Sequence, residues 1–299
     1  MHSTSQTGIR GSPLLHSIAT RCNDSAILFY TAPMLPTDDD LRNFEAHGAA
    51  PLPSAVQEGY VENDGARIWY STYGAGEPVI LLHGGLGNSG NWGYQVQSLV
   101  GAGHRVVLID SRGHGRSTRD SRPYTYELMA TDVIAVMDTV NVQKAAVVGW
   151  SDGACIALIL AMRVPSRITR VFFFACNMDP SGTKEIAWPN PVIDRCLSRH
   201  RKDYARLSAT PDQFDDFFAA IGVMMKTEPN YTAAQLARIP VPVCFAISER
   251  DEFIRLEHMQ YLANTVPGAR LRLLSDVTHF APLQRPDEFN SVLQSFLGH

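Results

Sequence analysis

The residues best suited to covalent chemistry sit in one pentapeptide, Gly149-Trp150-Ser151-Asp152-Gly153, and at two later positions, Asp251 and His279. A serine hydroxyl is too weak an acid to attack a carbonyl at neutral pH without a neighbouring base. His279, in Asp276-Val277-Thr278-His279-Phe280, can supply that base. Asp251, in Ser248-Glu249-Arg250-Asp251-Glu252, can hold the imidazole in the required tautomer and balance the charge it acquires. The chemistry such a trio supports is acyl transfer through a serine ester. Glu249 and Glu252 are rival carboxylates, and Asp276 is a weaker one. The plain alternative for the pentapeptide is a turn of small residues ahead of a helix.

Acyl transfer also needs donors for the oxyanion that forms at the attacked carbonyl. Asp152 stands at the start of a helical stretch, where backbone N–H groups point toward negative charge, so its N–H is one candidate. The second is Gly85 N–H in His83-Gly84-Gly85-Leu86-Gly87, with Leu86 N–H its nearest competitor. A phosphate cradle is the other use of such a turn. No Gly-Lys-Ser/Thr follows it and the dinucleotide glycine spacing is absent, which argues against a nucleotide. His83 suits a loop-organising hydrogen bond better than proton transfer.

Positioning these groups requires strands and helices in alternation. Residues 79–82, 106–109, 145–148, 171–174, 243–247 and 271–274 are short continuous apolar runs, as buried parallel strands require. The segment 126–140 places Met129, Val133, Val136, Met137 and Val140 on one face at helical spacing, which suits a crossover helix. Tyr60 to Tyr70, with the turn signal Asn63-Asp64-Gly65, reads as a hairpin. The pentapeptide follows the 145–148 run directly, so Ser151 falls on a sharp strand-to-helix turn, with Gly149 and Gly153 leaving room for the compressed backbone. The fold class is α/β, with a mostly parallel central sheet flanked by helices.

The alternation breaks after Phe174 and resumes at Val241. The intervening stretch holds helical patterns without a convincing strand, and an unstructured loop of that length is improbable. It is expected to be a helical cap. The chain therefore divides into an N-terminal extension, 1–54, disordered or docked; a core, 55–176 and 240–299; and a cap insertion, 177–239. Within the extension Ile27 to Tyr30 could dock in a groove. Apolar cap residues that could line a pocket include Trp188, Phe217 and Met224, among Pro191, Phe214, Phe218 and Met225. With Leu86, Trp150, Asp152 and Phe280 from the core, Trp188, Phe217 and Met224 are the substrate-binding candidates.

Composition narrows the function classes. The formal charge of -4 and the absence of a Lys/Arg block argue against nucleic-acid binding. No run approaches the roughly eighteen apolar residues of a membrane span. The stretch 26–35 is interrupted by Pro33 and flanked by aspartates, unlike a secretory leader. Cys22, Cys155, Cys176, Cys196 and Cys244 are scattered without a CxxC pair, which suits a reducing compartment, so a cytoplasmic protein is expected. The chemistry requires no metal or organic cofactor, and the expected partners are a small ester or lactone and water.

In chain order, His83 to Gly87, Asp110-Ser111-Arg112-Gly113-His114-Gly115-Arg116-Ser117, Gly149 to Gly153, Asp251 and His279 resemble the landmarks of the α/β-hydrolase fold superfamily over residues 59–297. The resemblance implies a serine hydrolase with triad members in the order Ser, Asp, His, acting on a small to medium ester or lactone through an acyl-enzyme. It equally admits same-fold enzymes of other reaction classes (cofactor-free haloperoxidases, carbon–carbon bond hydrolases, acyltransferases) and a non-catalytic receptor. Segments like 110–117 brace the active-site loop, so Arg112 is read mainly as structural, His114 as a poorer base than His279, and Asp132 as a cap or ion-pair partner. The Gly-Trp-Ser-Asp-Gly form resembles the biphenyl-hydrolase-like amino-acid ester hydrolases, the branch of valacyclovir hydrolase. There the acid after the nucleophile attracts the substrate's protonated amine, a role the resemblance offers to Asp152; a hydrogen bond to the glycine-rich loop is the other use.

Overall fold

A segment apolar on both faces is stable as a strand only where helices cover both sides of the sheet. The computed structural model, which describes residues 1, 28–30 and 40–298, has this arrangement. Among the described residues nine strands form one sheet: β1 (Leu28–Tyr30), β2 (Gln57–Asn63), β3 (Ala66–Tyr73), β4 (Pro78–Leu82), β5 (Arg105–Ile109), β6 (Ala145–Trp150), β7 (Ile168–Phe174), β8 (Val243–Arg250) and β9 (Arg270–Thr278). Their order is β1-β9-β8-β7-β6-β4-β5-β3-β2. The strands from β1 to β5 in that order are mutually parallel, and the β2–β3 hairpin joins β5 antiparallel.

Alternation along each strand feeds two cores. In β4, Ile80 and Leu82 enter one, which α3 (Tyr126–Thr139), α4 (Asp152–Arg163) and, over β8 and β9, α8 (Leu256–Thr265) cover. Val79 and Leu81 enter the other, covered by α1 (Asp40–His47), α2 (Gly93–Gly101), α9 (Ala281–Gln284) and α10 (Pro286–Leu297). The chain leaves β4 through α2 to β5 on one side and returns through α3 to β6 on the other. The carboxyl end of β4 is thus a topological switch point, where open α/β sheets leave a crevice.

Between β7 and β8 lie α5 (Pro191–Leu207), α6 (Phe214–Thr227) and α7 (Ala233–Leu236), which form an inserted cap. The cap is tied back to the core. Glu228 accepts a 3.0 Å hydrogen bond from the N–H of Tyr126 at the start of α3, and Tyr231 donates its hydroxyl hydrogen to Glu127.

The helix α1 was not expected from the sequence. Eight residues give too short a pattern to read, yet Leu41 and Phe44 are almost fully enclosed against α5 and α9. Leu28 to Tyr30 pair with Arg272 to Leu274 at the sheet edge. Ile27, Cys22 and the rest of the stretch before Leu28 apart from Met1 lie outside the described residues.

Candidate active site

Ser151 links β6 to α4 with φ 53° and ψ -123°, and its side chain makes no capping bond to the helix it precedes. A non-glycine residue with positive φ is strained by about 1–3 kcal/mol, and its surroundings must hold it there. The Ser151 N–H donates to the Phe174 carbonyl at 2.8 Å, while the Ala154 N–H donates to the Ser151 carbonyl at 2.7 Å. Side chains at Gly149 or Gly153 would drive into the backbone of Gly153 and Leu82 respectively. The two glycines are therefore required by the close approach of β4, β6 and α4, as the strand–turn–helix reading anticipates.

Two and three strands away, β8 and β9 end in the loops that carry Asp251 and His279. His279 is buried, and its Nδ1 lies 2.9 Å from Asp251 Oδ2. The other carboxylate oxygen of Asp251 accepts from Phe253 N at 2.9 Å and Ile254 N at 2.8 Å. Donation from Nδ1–H to the carboxylate leaves Nε2 as the free base. The rival carboxylates stand elsewhere: Glu249 is exposed and accepts from Asp276 N, Glu252 accepts from the His279 backbone N–H, and Asp276 pairs with Arg250. Burial alone would lower the His279 pKa; the charge and hydrogen bond of Asp251, with Glu252 and Asp152 farther off, outweigh it and raise the value.

The turn after β4 folds over Ser151. A Cβ on Gly84 would lie 3.2 Å from Ser151 Cβ, and one on Gly85 would lie 2.6 Å from Asp152 Oδ2. Leu86 has φ 64°. His83 fixes this turn: its Nε2 accepts from Ser111 N at 3.0 Å, so Nδ1 carries the proton and donates to the Gly84 carbonyl at 2.8 Å. Behind it Asp110 accepts from Ser89 N at 2.7 Å and Arg116 N at 2.8 Å. Arg112 forms a two-pronged pair with Asp132 at 3.0 and 2.7 Å and donates to the carbonyls of Asn63 and Asp64, so it braces the hairpin and does not face the cavity. His114 is sealed between His83, Tyr124 and Phe217.

A mostly apolar cavity of about 340 Å³ opens between these turns and the cap. Ser151, His279 and Asp152 line it together with Gly85, Leu86, Trp150, Trp188 and Phe280. Asp251 stands behind His279. Phe217 and Met224 do not line it. Both are buried where the cap packs on the core, and Phe217 stacks on Tyr204 at 4.8 Å and meets His114 edge-on at 4.7 Å. Their neighbours Phe218 and Met225 form the wall instead, because one residue along a helix turns the side chain by about 100°. Residues that the sequence reading did not single out for the site include Tyr126, Lys184, His200 and Phe253. Lys184 donates to the Asp251 backbone carbonyl at 2.7 Å, tying the segment that enters the cap to the acid loop.

Asp152 is the electrostatic exception. One carboxylate oxygen accepts from the Tyr126 hydroxyl at 2.9 Å; the other is enclosed and has no partner among the described residues. Burial pushes its pKa up to about 6 against the pull of Tyr126 and His279. It is therefore largely ionised at neutral pH, with one unmet oxygen beside the cavity.

The chain is similar to known proteins over most of its length. Residues 77–222 match the family model described as alpha/beta hydrolase fold. A Synechocystis sp. protein, provisionally named a non-heme chloroperoxidase, is 40% identical over 77% of this chain and 94% of its own. The mouse protein named serine hydrolase BPHL is 27% identical over 85% of this chain and 90% of its own. The solved structure described as Est816, an N-acyl homoserine lactone degrading enzyme, superposes with a TM-score of 0.66 at 29% identity, over 80% of this chain and all of that one. Among the described residues no helix is long and apolar enough to cross a membrane. The chain belongs to the α/β-hydrolase fold family and shares the features of its serine hydrolases.

Proposed function

We propose that the protein is a carboxylic-ester hydrolase in which Ser151 is the nucleophile, His279 the base and Asp251 its orienting acid. The observation that carries this reading is the convergence of a positive-φ serine and an aspartate-bound imidazole on one cavity. His279 Nε2 takes the Ser151 proton as its oxygen attacks the ester or lactone carbonyl. The N–H groups of Gly85 and Asp152 receive the oxyanion, with Leu86 N–H the alternative first donor. His279 then protonates the leaving oxygen, and water repeats the sequence to release the acid. The cavity's size and apolar wall, with Trp188, Phe218 and Met225 both lining it and exposed, favour a small to medium substrate with an apolar portion.

The partnerless oxygen of Asp152 supports a narrower reading in which the substrate carries a protonated amine, as in amino-acid esters. The name of the Synechocystis relative, a non-heme chloroperoxidase, favours another reading, a haloperoxidase activity. Scattered, buried cysteines at Cys155, Cys176, Cys196 and Cys244 favour a reducing, cytoplasmic setting.

Turnover of short esters, lactones and amino-acid esters by the wild-type chain and by S151A tests the assignment. S151A is expected to stay folded and to lose activity by about 10⁴-fold or more. Full activity in S151A would exclude Ser151 as the nucleophile, and peroxide-dependent halogenation far exceeding ester turnover would favour the haloperoxidase reading.

A further inference from the structure

The cap's inner wall holds a polar group that acyl transfer does not use. His200, on α5, lines the cavity and is 6% exposed, and its Nδ1 is enclosed with no hydrogen-bond partner among the described residues. Its neighbours on the same helix wall, Ile193, Cys196 and Leu197, offer no strong acceptor or donor. From outside, Phe44 of α1 meets the ring edge-on, with centroids 6.1 Å apart at 70°, and fixes its plane.

A buried histidine is most simply a packing residue, and three other buried histidines here show what that looks like. His83 has both ring nitrogens bonded, and His258 accepts from Met178 N at 3.0 Å. His114 also has an unmet nitrogen, but it is walled off by aromatic rings and does not reach the cavity. His200 alone among these four combines an unmet nitrogen with a place on the cavity wall.

The charge state limits what it can bind. Burial pushes the His200 pKa down to about 4, against the pull of Asp203 and with the help of His83 and Arg199. The ring is therefore neutral, with one donor and one acceptor nitrogen. An apolar wall disfavours bringing an ion of either sign to it, because the nearest charges, Arg199 and Asp203, are already paired with each other at 2.8 and 2.9 Å.

We propose that His200 is a specificity-determining residue that hydrogen-bonds a neutral polar group, a hydroxyl or an amide, on the part of the substrate remote from the scissile carbonyl. The inference rests on the hydrolase reading above and narrows its substrate class to an apolar ester or lactone bearing such a group. His200 takes no part in bond making. Its effect falls on binding and orientation, and so on KM and on the ratio of rates between substrates.

The test uses the full chain and p-nitrophenyl esters of one medium-length acid, plain or carrying a hydroxyl or acetylamino group at successive carbons. Wild type is expected to prefer at least one substituted ester. H200F should lower kcat/KM for that ester by about tenfold more than for the plain ester, mainly through KM. H200Q, which keeps a donor and an acceptor, should recover part of the preference, and H200L serves where H200F does not fold. Equal losses on plain and substituted esters, or no preference in the wild type, would overturn the inference while leaving the hydrolase reading intact. Absence of wild-type turnover on every ester, plain ones included, would overturn both.

Discussion

The two walls of the cavity are built by different rules. The floor is made of turns at the carboxyl ends of β4, β6, β8 and β9, and its catalytic candidates are held by dense local bonding. The Asp251 carboxylate accepts three hydrogen bonds, His83 is bonded at both nitrogens, and Ser151 is locked into an unfavourable backbone conformation from both sides. The roof is made of cap helices. Trp188, Phe218 and Met225 there are partly exposed and His200 has an unmet nitrogen. The floor is shaped for a reaction, and the roof is shaped by what enters. Substitutions in the floor should therefore change kcat, and those on the roof's inner face should change KM and substrate preference.

The sharpest break of this contrast is D251N. With its carboxylate neutralised, His279 loses both its orienting acceptor and the charge that stabilises its protonated form, and kcat should fall by about 10³–10⁴-fold while KM barely moves. E249Q, at an exposed position, should stay close to wild type. Equal activity of D251N and wild type in steady-state kinetics would remove Asp251 from the mechanism. The pH dependence follows the same pair. His279 must be neutral to accept a proton, and its pKa is raised. The rate should therefore fall as pH drops through a value above the ordinary histidine pKa of about 6.5, and a limb below that value would contradict the assigned pairing.

Within the cap, F217A and F218A separate packing from lining. Phe217 is 3% exposed and stacked on Tyr204, so its truncation should destabilise the fold by about 3–4 kcal/mol in chemical denaturation. Phe218 is 45% exposed and faces the cavity, so F218A should cost less than about 1 kcal/mol and raise KM several-fold for apolar esters. Similar stabilities for the two variants would show the helix phase to be wrong.

Asp152 sits where the two walls meet. D152N should reduce kcat/KM for protonated amino-acid esters by about tenfold or more and leave neutral esters within a few-fold. Parallel losses on both series would assign Asp152 to organising the turn at Gly85.

The contrast also explains what could be read from the sequence. Strands buried on both faces must be continuous apolar runs, and a strained turn between such a strand and a helix needs glycine on both sides of Ser151; both demands are local and visible. Asp251 was distinguishable from Glu249 and Glu252 only as the better-placed of three neighbours. The bond to His279 forms across 28 residues of sequence. The cap was legible as an insertion because the strand rhythm stopped, but not its rotation: Phe217 and Phe218, or Met224 and Met225, exchange roles with a turn of α6 that tertiary packing alone fixes. His200 stands between Arg199 and Arg201 in a polar run, with no local sign that its ring faces a cavity. The helix α1 was missed because two buried residues, Leu41 and Phe44, do not make a period.

The most direct measurement is to trap the covalent step. The folded protein, incubated with a fluorophosphonate or quenched during turnover of an activated ester, is digested and mapped by mass spectrometry. The account predicts one adduct, on the peptide containing Ser151, and no adduct in S151A. Ester turnover with the adduct at another residue, or undiminished after complete modification of Ser151, would contradict it.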